Sequence, residues 1–236
     1  QCNIAGRRYR ALFRRGRHCS ERGEVKTSTL VRAWLVLTVA ALALAIPTVA
    51  AAGNGHGNGP KDDGPPRGGT VYLTFDDGPS QYTPAILNIL RATHSTATFF
   101  ELGFRQAEYP AEAAQIRAQG SNIGNHTYNH PNLTKLKPGQ IRWQLAHGPQ
   151  GRCVRPPYGA INPRVRADVR ELGLVPVLWN VDSEDWRGGS SRQIADSILR
   201  QLQRHRDNIV LQHDGVRNSP ASVAAMSVEM VGVTWS

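Results

Sequence analysis

From Thr70 onward the apolar and polar positions fall into two alternating textures. Short β-branched or aromatic runs predict strands at "TVYLTF" (70–75), "ATFFELG" (97–103), "SNIGN" (121–125), "LVPVLWNV" (174–181) and "NIVLQH" (208–213). Between them, apolar residues at helical spacing predict helices at "TPAILNILRAT" (83–93), "PAEAAQIRAQG" (110–120) and "KPGQIRWQLAHG" (137–148). Two more are predicted at "INPRVRADVRELG" (161–173) and "SSRQIADSILRQLQRH" (190–205). Thr83 is the expected N-cap of the first helix with Pro84 at its first position, Gly120 stops the second, and Pro138 starts the third. Strand and helix alternate from end to end, which predicts a mainly parallel sheet with right-handed crossovers and about five βα units. The expected fold class is α/β, a closed or incomplete (β/α) barrel.

The segment before Thr70 has a different texture. Residues 53–69, "GNGHGNGPKDDGPPRGG", are Gly, Pro, Asn and Asp almost throughout and read as a linker. Upstream, an apolar run "AWLVLTVAALALAI" (33–46) follows a basic stretch and precedes a small-residue site at Ala50-Ala51-Ala52. This is the outline of a secretory signal peptide over 25–52. A membrane anchor from Ala33 to Ala52 or a buried helix are the alternatives. The run is short for a span of about 20 residues and meets Pro47, so cleavage is favoured, with membrane contact only transient. The expected location is secreted, extracellular or cell-wall associated. Residues 1–24 are an unusual Arg-rich leader, and translation is expected to begin near Val25.

Charge sharpens this picture. The formal net charge of +10 invites a nucleic-acid reading, but its distribution argues against one. Residues 1–32 hold nine Lys/Arg and two acids, whereas residues 33–236 hold the other nineteen bases and sixteen acids, a surplus of only three. Cys2 and Cys19 fall in the leader, which leaves Cys153 alone in the mature part and predicts no internal disulfide framework.

Candidate chemistry gathers where strands end, the place where barrels carry reactive groups. "DDGP" occurs twice: at 62–65 inside the linker, where a turn suffices, and at 76–79 directly after a strand, where Asp76 and Asp77 are candidates. "NHTYNHPNL" (125–133) offers His126 and His130 in what Pro131 makes a tight turn, so the two rings can converge; two surface histidines are the plainer alternative. "RPPYG" (155–159) sets an Arg before two prolines, able to hold a guanidinium against a carboxylate. "DSEDW" (182–186) brings Asp182 and Asp185 beside Trp186, and "HDG" (213–215) adds a His at a strand end. Each could be a solvated loop, but five such loops in order are hard to dismiss.

Taken together, "TFDDGP" (74–79), "HTYNH" (126–130), "RPPYG" (155–159), "DSEDW" (182–186) and "LQH" (211–213) resemble, in order, the five signature motifs of the polysaccharide deacetylases with the NodB-homology domain. That family includes chitin, chito-oligosaccharide, peptidoglycan and acetylxylan deacetylases, and the likeness covers roughly residues 70–217. The resemblance implies a distorted (β/α) barrel with a divalent metal, most often Zn2+, with Co2+ or another ion as alternatives. It implies Asp77, His126 and His130 as metal ligands, Asp76 as general base oriented by Arg155, and His213 as general acid tuned by Asp185. Tyr158 would offer its backbone N–H to the oxyanion, and Trp186 and Leu211 would wall the acetyl methyl. The expected partner is an acetylated polysaccharide or oligosaccharide, handled by a monomer and with no nucleic acid involved.

The sequence also departs from that pattern. From His130 to Arg155 is 25 positions, about a dozen fewer than the family leads one to expect, so Arg155 is at risk of misplacement against Asp76. "PQGRCV" replaces the expected strand before "RPPYG", and the catalytic domain, 70–236, ends where relatives continue, which reads as a truncation. Three functions stay open: an N-deacetylase of N-acetylglucosamine polymers, an acetylxylan O-deacetylase, and a carbohydrate-binding relative with impaired catalysis.

Overall fold

The computed structural model describes residues 2–4, 7–9, 70–203 and 207–231, with side chains over 70–203 and 207–225. The chain divides into a compact unit of Gln1–Ala11 with Asp63–Ser236 and a second of Leu12–Asp62. The second unit, the expected signal segment and linker and the first "DDGP" lie outside the described residues, as does most of the expected leader. Of the leader, β1 (Cys2–Ile4) and β2 (Arg7–Tyr9) pair as an antiparallel hairpin. Among the described residues no helix is long and apolar enough to cross a membrane.

The remaining strands are β3 (Val71–Asp76), β4 (Thr98–Glu101), β5 (Asn122–Asn125), β6 (Cys153–Val154), β7 (Val175–Pro176), β8 (Val181–Asp182) and β9 (Asn208–His213). They form one sheet in the order β7-β6-β5-β4-β3-β9-β8, and every neighbouring pair is parallel. Helices α1 (Thr83–Ala92), α2 (Gly103–Glu108), α3 (Pro110–Ala118), α4 (Pro138–Ala146), α5 (Pro163–Glu171), α6 (Ser191–Gln201) and α7 (Ser219–Val231) alternate with them. The two edge strands are joined by only four residues, Val177–Asn180, so the edges are at most about 18 Å apart along the chain. The sheet therefore curls nearly round on itself: an incomplete (β/α) barrel, as expected.

The two-residue period of each strand divides its side chains between two cores. Phe75, Phe99, Val181 and Val210 face outward and pack with Ile86, Leu87 and Leu90 of α1, Ile116 of α3 and Ile194 and Ile198 of α6. Tyr72 and Phe100 face inward with Cys153 and Val177. A third cluster, including Leu133, Ile141, Leu145, Val154, Val165 and Val169, lies under α4 and α5. On β3, the inward set is Tyr72, Thr74 and Asp76, which delivers Asp76 to the mouth of the barrel.

Several sequence expectations need correction. Tyr82, not Thr83, is the N-cap of α1; Thr83 is its first residue, with its hydroxyl engaged by the Ser80 N–H (2.8 Å) and by Asp214 (2.6 Å). The strand expected to run to Gly103 ends at Glu101, because the Leu102 N–H turns to the Gly78 carbonyl (2.9 Å) and the chain enters the unforeseen helix α2. The strand expected over 174–181 is broken into β7 and β8, which lie on opposite edges of the sheet. "PQGRCV" does supply a strand, the two-residue β6, paired to β5 and β7. Cys153 is disulfide-bonded, although its standing alone in the expected mature part predicts no internal disulfide framework. After β9 the chain forms α7, adding a helical cover beyond the last element the pattern had predicted.

Candidate active site

The mouth of the barrel is a cavity of about 630 Å³ lined by Asp76, Asp77, His126, His130, Tyr158, Trp186, Leu211 and His213, and also by Arg105, Trp179, Asp182 and Val216. Eight of the ten residues singled out from sequence therefore share one wall-to-wall site. The other two, Arg155 and Asp185, act from behind it.

Arg155 is fully buried. Its Nη1 donates to Asp76 Oδ1 (2.8 Å) and to Thr74 Oγ1 (2.7 Å), two acceptors on the same inward face of β3. Its Nε donates to the Val177 carbonyl (3.3 Å) and its Nη2 to that of Leu178 (3.2 Å), while the Phe100 ring lies 4.3 Å from the guanidinium carbon. The shortened segment before it has not displaced Arg155 from Asp76. Burial raises the pKa of Asp76 and outweighs the opposing pull of Arg155 and His213, which makes its carboxylate a stronger proton acceptor than an exposed one.

Asp77 adopts a left-handed backbone (φ 70°), which swings its side chain away from the strand direction. Its Oδ1 lies 3.5 Å from His126 Nε2 and 3.3 Å from His130 Nε2. His126 Nδ1 is 2.6 Å from the Arg155 carbonyl, an acceptor only, so Nδ1 carries the proton and Nε2 turns a lone pair toward Asp77. Burial holds the His126 imidazole down at about 3, and it is neutral at physiological pH. His130 also has positive φ (63°), in a tight turn closed by the Thr127 hydroxyl (3.0 Å). One ligand atom from each of Asp77, His126 and His130 falls within 4.8 Å of the others, a group that could hold a metal ion. Among the described residues Asp77 Oδ1 has no hydrogen-bond partner although it is buried. A buried acceptor facing two imidazole nitrogens is costly unless a cation completes it, so the residues fit the metal that the sequence implied.

Across the cavity, His213 Nδ1 is 2.6 Å from Asp185 Oδ1, and Asp185 Oδ2 accepts from the His213 backbone N–H (2.8 Å) and from Ser219 Oγ (3.1 Å). Asp185 is 1% exposed. Burial lowers the pKa of His213, but the Asp185 hydrogen bond and the charges of Asp185, Asp76 and Asp77 together raise it to about 9. The site thus sets a buried carboxylate beside an imidazolium, Asp76 and His213 being direct partners in the β3–β9 ladder.

Known proteins resemble this chain. The polysaccharide deacetylase family profile matches residues 63–177. A chitooligosaccharide deacetylase of Azorhizobium caulinodans is 36% identical over 66% of this chain and 78% of its own length. The chain belongs to the polysaccharide deacetylase family. A peptidoglycan-N-acetylglucosamine deacetylase of Bacillus cereus is 36% identical over 64% of the chain, which spans 58% of that relative's length. Among solved structures, a family 4 carbohydrate esterase from Streptomyces lividans in complex with acetate superposes with a TM-score of 0.64 at 32% identity, covering 69% of this chain and 88% of that one.

Membership in the family makes the remaining site features readable. Tyr158 stands at φ 60° in a single 3₁₀ turn, Pro157–Gly159, with its ring exposed against His130 (centroids 4.5 Å apart). Trp186 is 58% exposed at the rim and Leu211 is buried in the wall. Sequence reasoning missed Trp179, whose Nε1 donates to Asp182 Oδ2 (3.2 Å) and whose ring supports Gly159; a Cβ on that glycine would stand 3.0 Å from it. Trp179 fell inside the presumed strand, and only the break between β7 and β8 turns it to the cavity. Arg105 was missed because α2 itself was.

Proposed function

We propose that this protein is a metal-dependent deacetylase that removes acetyl groups from N-acetylglucosamine units of a polysaccharide and releases acetate. The observation that carries this reading is the partnerless Asp77 Oδ1 between His126 Nε2 and His130 Nε2, facing the Asp185–His213 pair across one cavity. Both curated relatives described above act, by their names, on N-acetylglucosamine-containing substrates or their oligomers, which supports this substrate class.

Asp77, His126 and His130 would hold the ion, zinc by the three-ligand donor set of nitrogen and carboxylate. When bound, such an ion lowers the pKa of a water and polarises the acetyl carbonyl. Asp76, with Oδ1 held by Arg155, keeps Oδ2 for the attacking water and takes its proton. The oxygen adds to the acetyl carbon while the Tyr158 backbone N–H faces the developing oxyanion, and Leu211 and Trp186 enclose the methyl. His213, protonated at Nε2 and anchored at Nδ1, gives its proton to the sugar nitrogen as the C–N bond breaks. Acetic acid and a free amine leave, the acid losing its proton to solvent as acetate, and the proton on Asp76 passes through solvent to His213, which restores both groups.

The ester reading is supported by the carbohydrate-esterase name of the Streptomyces structure and by a bifunctional xylanase/xylan deacetylase of Cellvibrio japonicus, 33% identical over 69% of this chain and 26% of its own length. An alkoxide leaving group needs less protonation than an amine. Acetate release from chitin oligomers, peptidoglycan fragments and acetylated xylan, with and without a chelator, tests the proposal. Chelator-sensitive release from the N-acetyl substrates is expected; binding without release would favour an impaired relative, and release from xylan alone would favour the esterase. Export of a catalytic domain beginning near residue 70 is supported by the basic start and apolar run of 25–52.

A further inference from the structure

The turn that follows β3 and the end of β9 carry opposite halves of the site, Asp77 on one and His213 on the other. They meet at a residue outside the cavity. Asp214 is completely buried, and the Thr83 hydroxyl donates to its Oδ2 (2.6 Å). Ser80 Oγ donates to its backbone carbonyl (2.6 Å) and lies 3.1 Å from Oδ1, while its own N–H donates to the Asp76 carbonyl (2.8 Å). The fit is close on the far side too, since a Cβ on Gly78 would fall 2.3 Å from Asp214 Oδ2. Asp76, Ser80 and Thr83 are therefore each tied directly to the residue next to His213, and Tyr82 is tied to it through the Ser80 hydroxyl (3.0 Å).

We propose that Asp214 is a positioning residue that clamps the Asp77 turn against the His213 strand end, and so sets the spacing between the metal-binding and acid halves of the site. The proposal rests on the deacetylase reading given above. A buried carboxylate is a costly way to fill space, because burial disfavours its charge. Burial pushes Asp214 up to about 6 despite the hydroxyls of Thr83 and Ser80, so at neutral pH the fold holds an ionised group at a cost to stability. A carboxylate retained there serves geometry: it accepts from one side of the turn with one oxygen and braces Ser80 with the other. Outer residues that orient metal ligands are worth about 10–100-fold in metal affinity or activity.

The test uses the full chain and zinc as the probe. Zinc affinity is measured by competition with a chromophoric chelator, and kcat and KM by acetate release from a chitin oligomer, at a temperature well below each variant's Tm. Asp214→Ala is expected to weaken zinc binding and lower kcat, each by about 10–100-fold, with KM changed less than about 3-fold. Asp214→Asn offers Thr83 its amide oxygen and Ser80 its NH₂, and is expected to stay within about 3-fold of wild type in both. Thr83→Val removes one tie and should fall between. A folded Asp214→Ala with wild-type zinc affinity and kcat overturns the proposal. If that variant does not fold, wild-type values in both Thr83→Val and Ser80→Ala overturn it instead. A wild-type chain that neither binds zinc nor releases acetate refutes the deacetylase reading itself, a different result from an active wild type indifferent to Asp214.

Discussion

Replacing Asp185 by Asn removes the charge that keeps His213 protonated while leaving a side chain of the same shape. In the wild type His213 titrates at about 9 against an ordinary 6.5, a preference for the imidazolium of about 3 kcal/mol. Burial opposes that preference, Arg155 offsets the charge of Asp76, and a cation held by Asp77 would offset that of Asp77, so without Asp185 the imidazole is expected to return to its ordinary 6.5 or below. At pH 8 about nine-tenths of wild-type His213 carries the proton that the leaving nitrogen needs, against about 3% in the variant. The expected loss of kcat at pH 8 is therefore roughly 30-fold. At pH 5.5 both enzymes are protonated and the gap should close to a few-fold. The assay is acetate release from a chitin oligomer across pH 5–10, with the His213 ring followed by NMR. An alkaline limb unmoved in Asp185→Asn, or an equal loss at every pH, refutes the role of the pair.

The same pair makes a stability prediction of defined sign. Because the folded pKa of His213 lies above the unfolded value, its contribution is complete below about pH 6.5 and is lost as pH rises through about 9. Wild-type stability should decline over that window by up to about 3 kcal/mol from this group, and the decline should be absent in Asp185→Asn.

Other expectations follow from the geometry. Asp76→Asn should keep zinc affinity while turnover falls at least about 10²-fold, whereas His126→Ala should lose zinc binding; titration of zinc against each variant checks both. Arg155→Met leaves the buried Asp76 carboxylate unpaired, with an expected cost of about 3–5 kcal/mol in chemical denaturation. Phe99→Ala, in the outer core and stacked on Phe75 at 5.1 Å, should cost about 3–5 kcal/mol, with kcat of the folded enzyme unchanged.

What was legible in the sequence was local or periodic. The β3 pattern 70–75 and the β9 pattern 208–213 needed no partner to be read, and α1 and α6 announced themselves through buried positions at helical spacing. The candidate site residues were legible because their motifs sit at strand ends, Asp76 and Asp77 at β3, His126 and His130 after β5 and His213 at β9. Features fixed by long-range contacts were not. Helix α2 exists because Leu102 and Gly103 turn their N–H groups to Gly78 and Thr127 instead of continuing the ladder. Asp214 stood in plain view inside "HDG", yet nothing local connects it to Thr83, 131 positions away.

The broken strand over 174–181 shows how fold and chemistry share one solution. A parallel barrel must pass its last edge back to its first, and here the four residues Val177–Asn180 make that passage between β7 and β8. Their backbone groups leave the ladder and need other partners. Val177 keeps its N–H on the Val154 carbonyl, and Asn180 offers its Oδ1 to the Ile209 N–H (2.6 Å). The carbonyls of Val177 and Leu178 take the Arg155 guanidinium, the same group that holds Asp76. Only a guanidinium has donors enough to serve both at once. Arg155→Lys would present three donors from one point instead of a planar fork, so it should either free the seam or free Asp76. Lowered kcat with an unchanged Tm, or the reverse, identifies which contact the lysine keeps; wild-type values for both would show that neither depends on the fork.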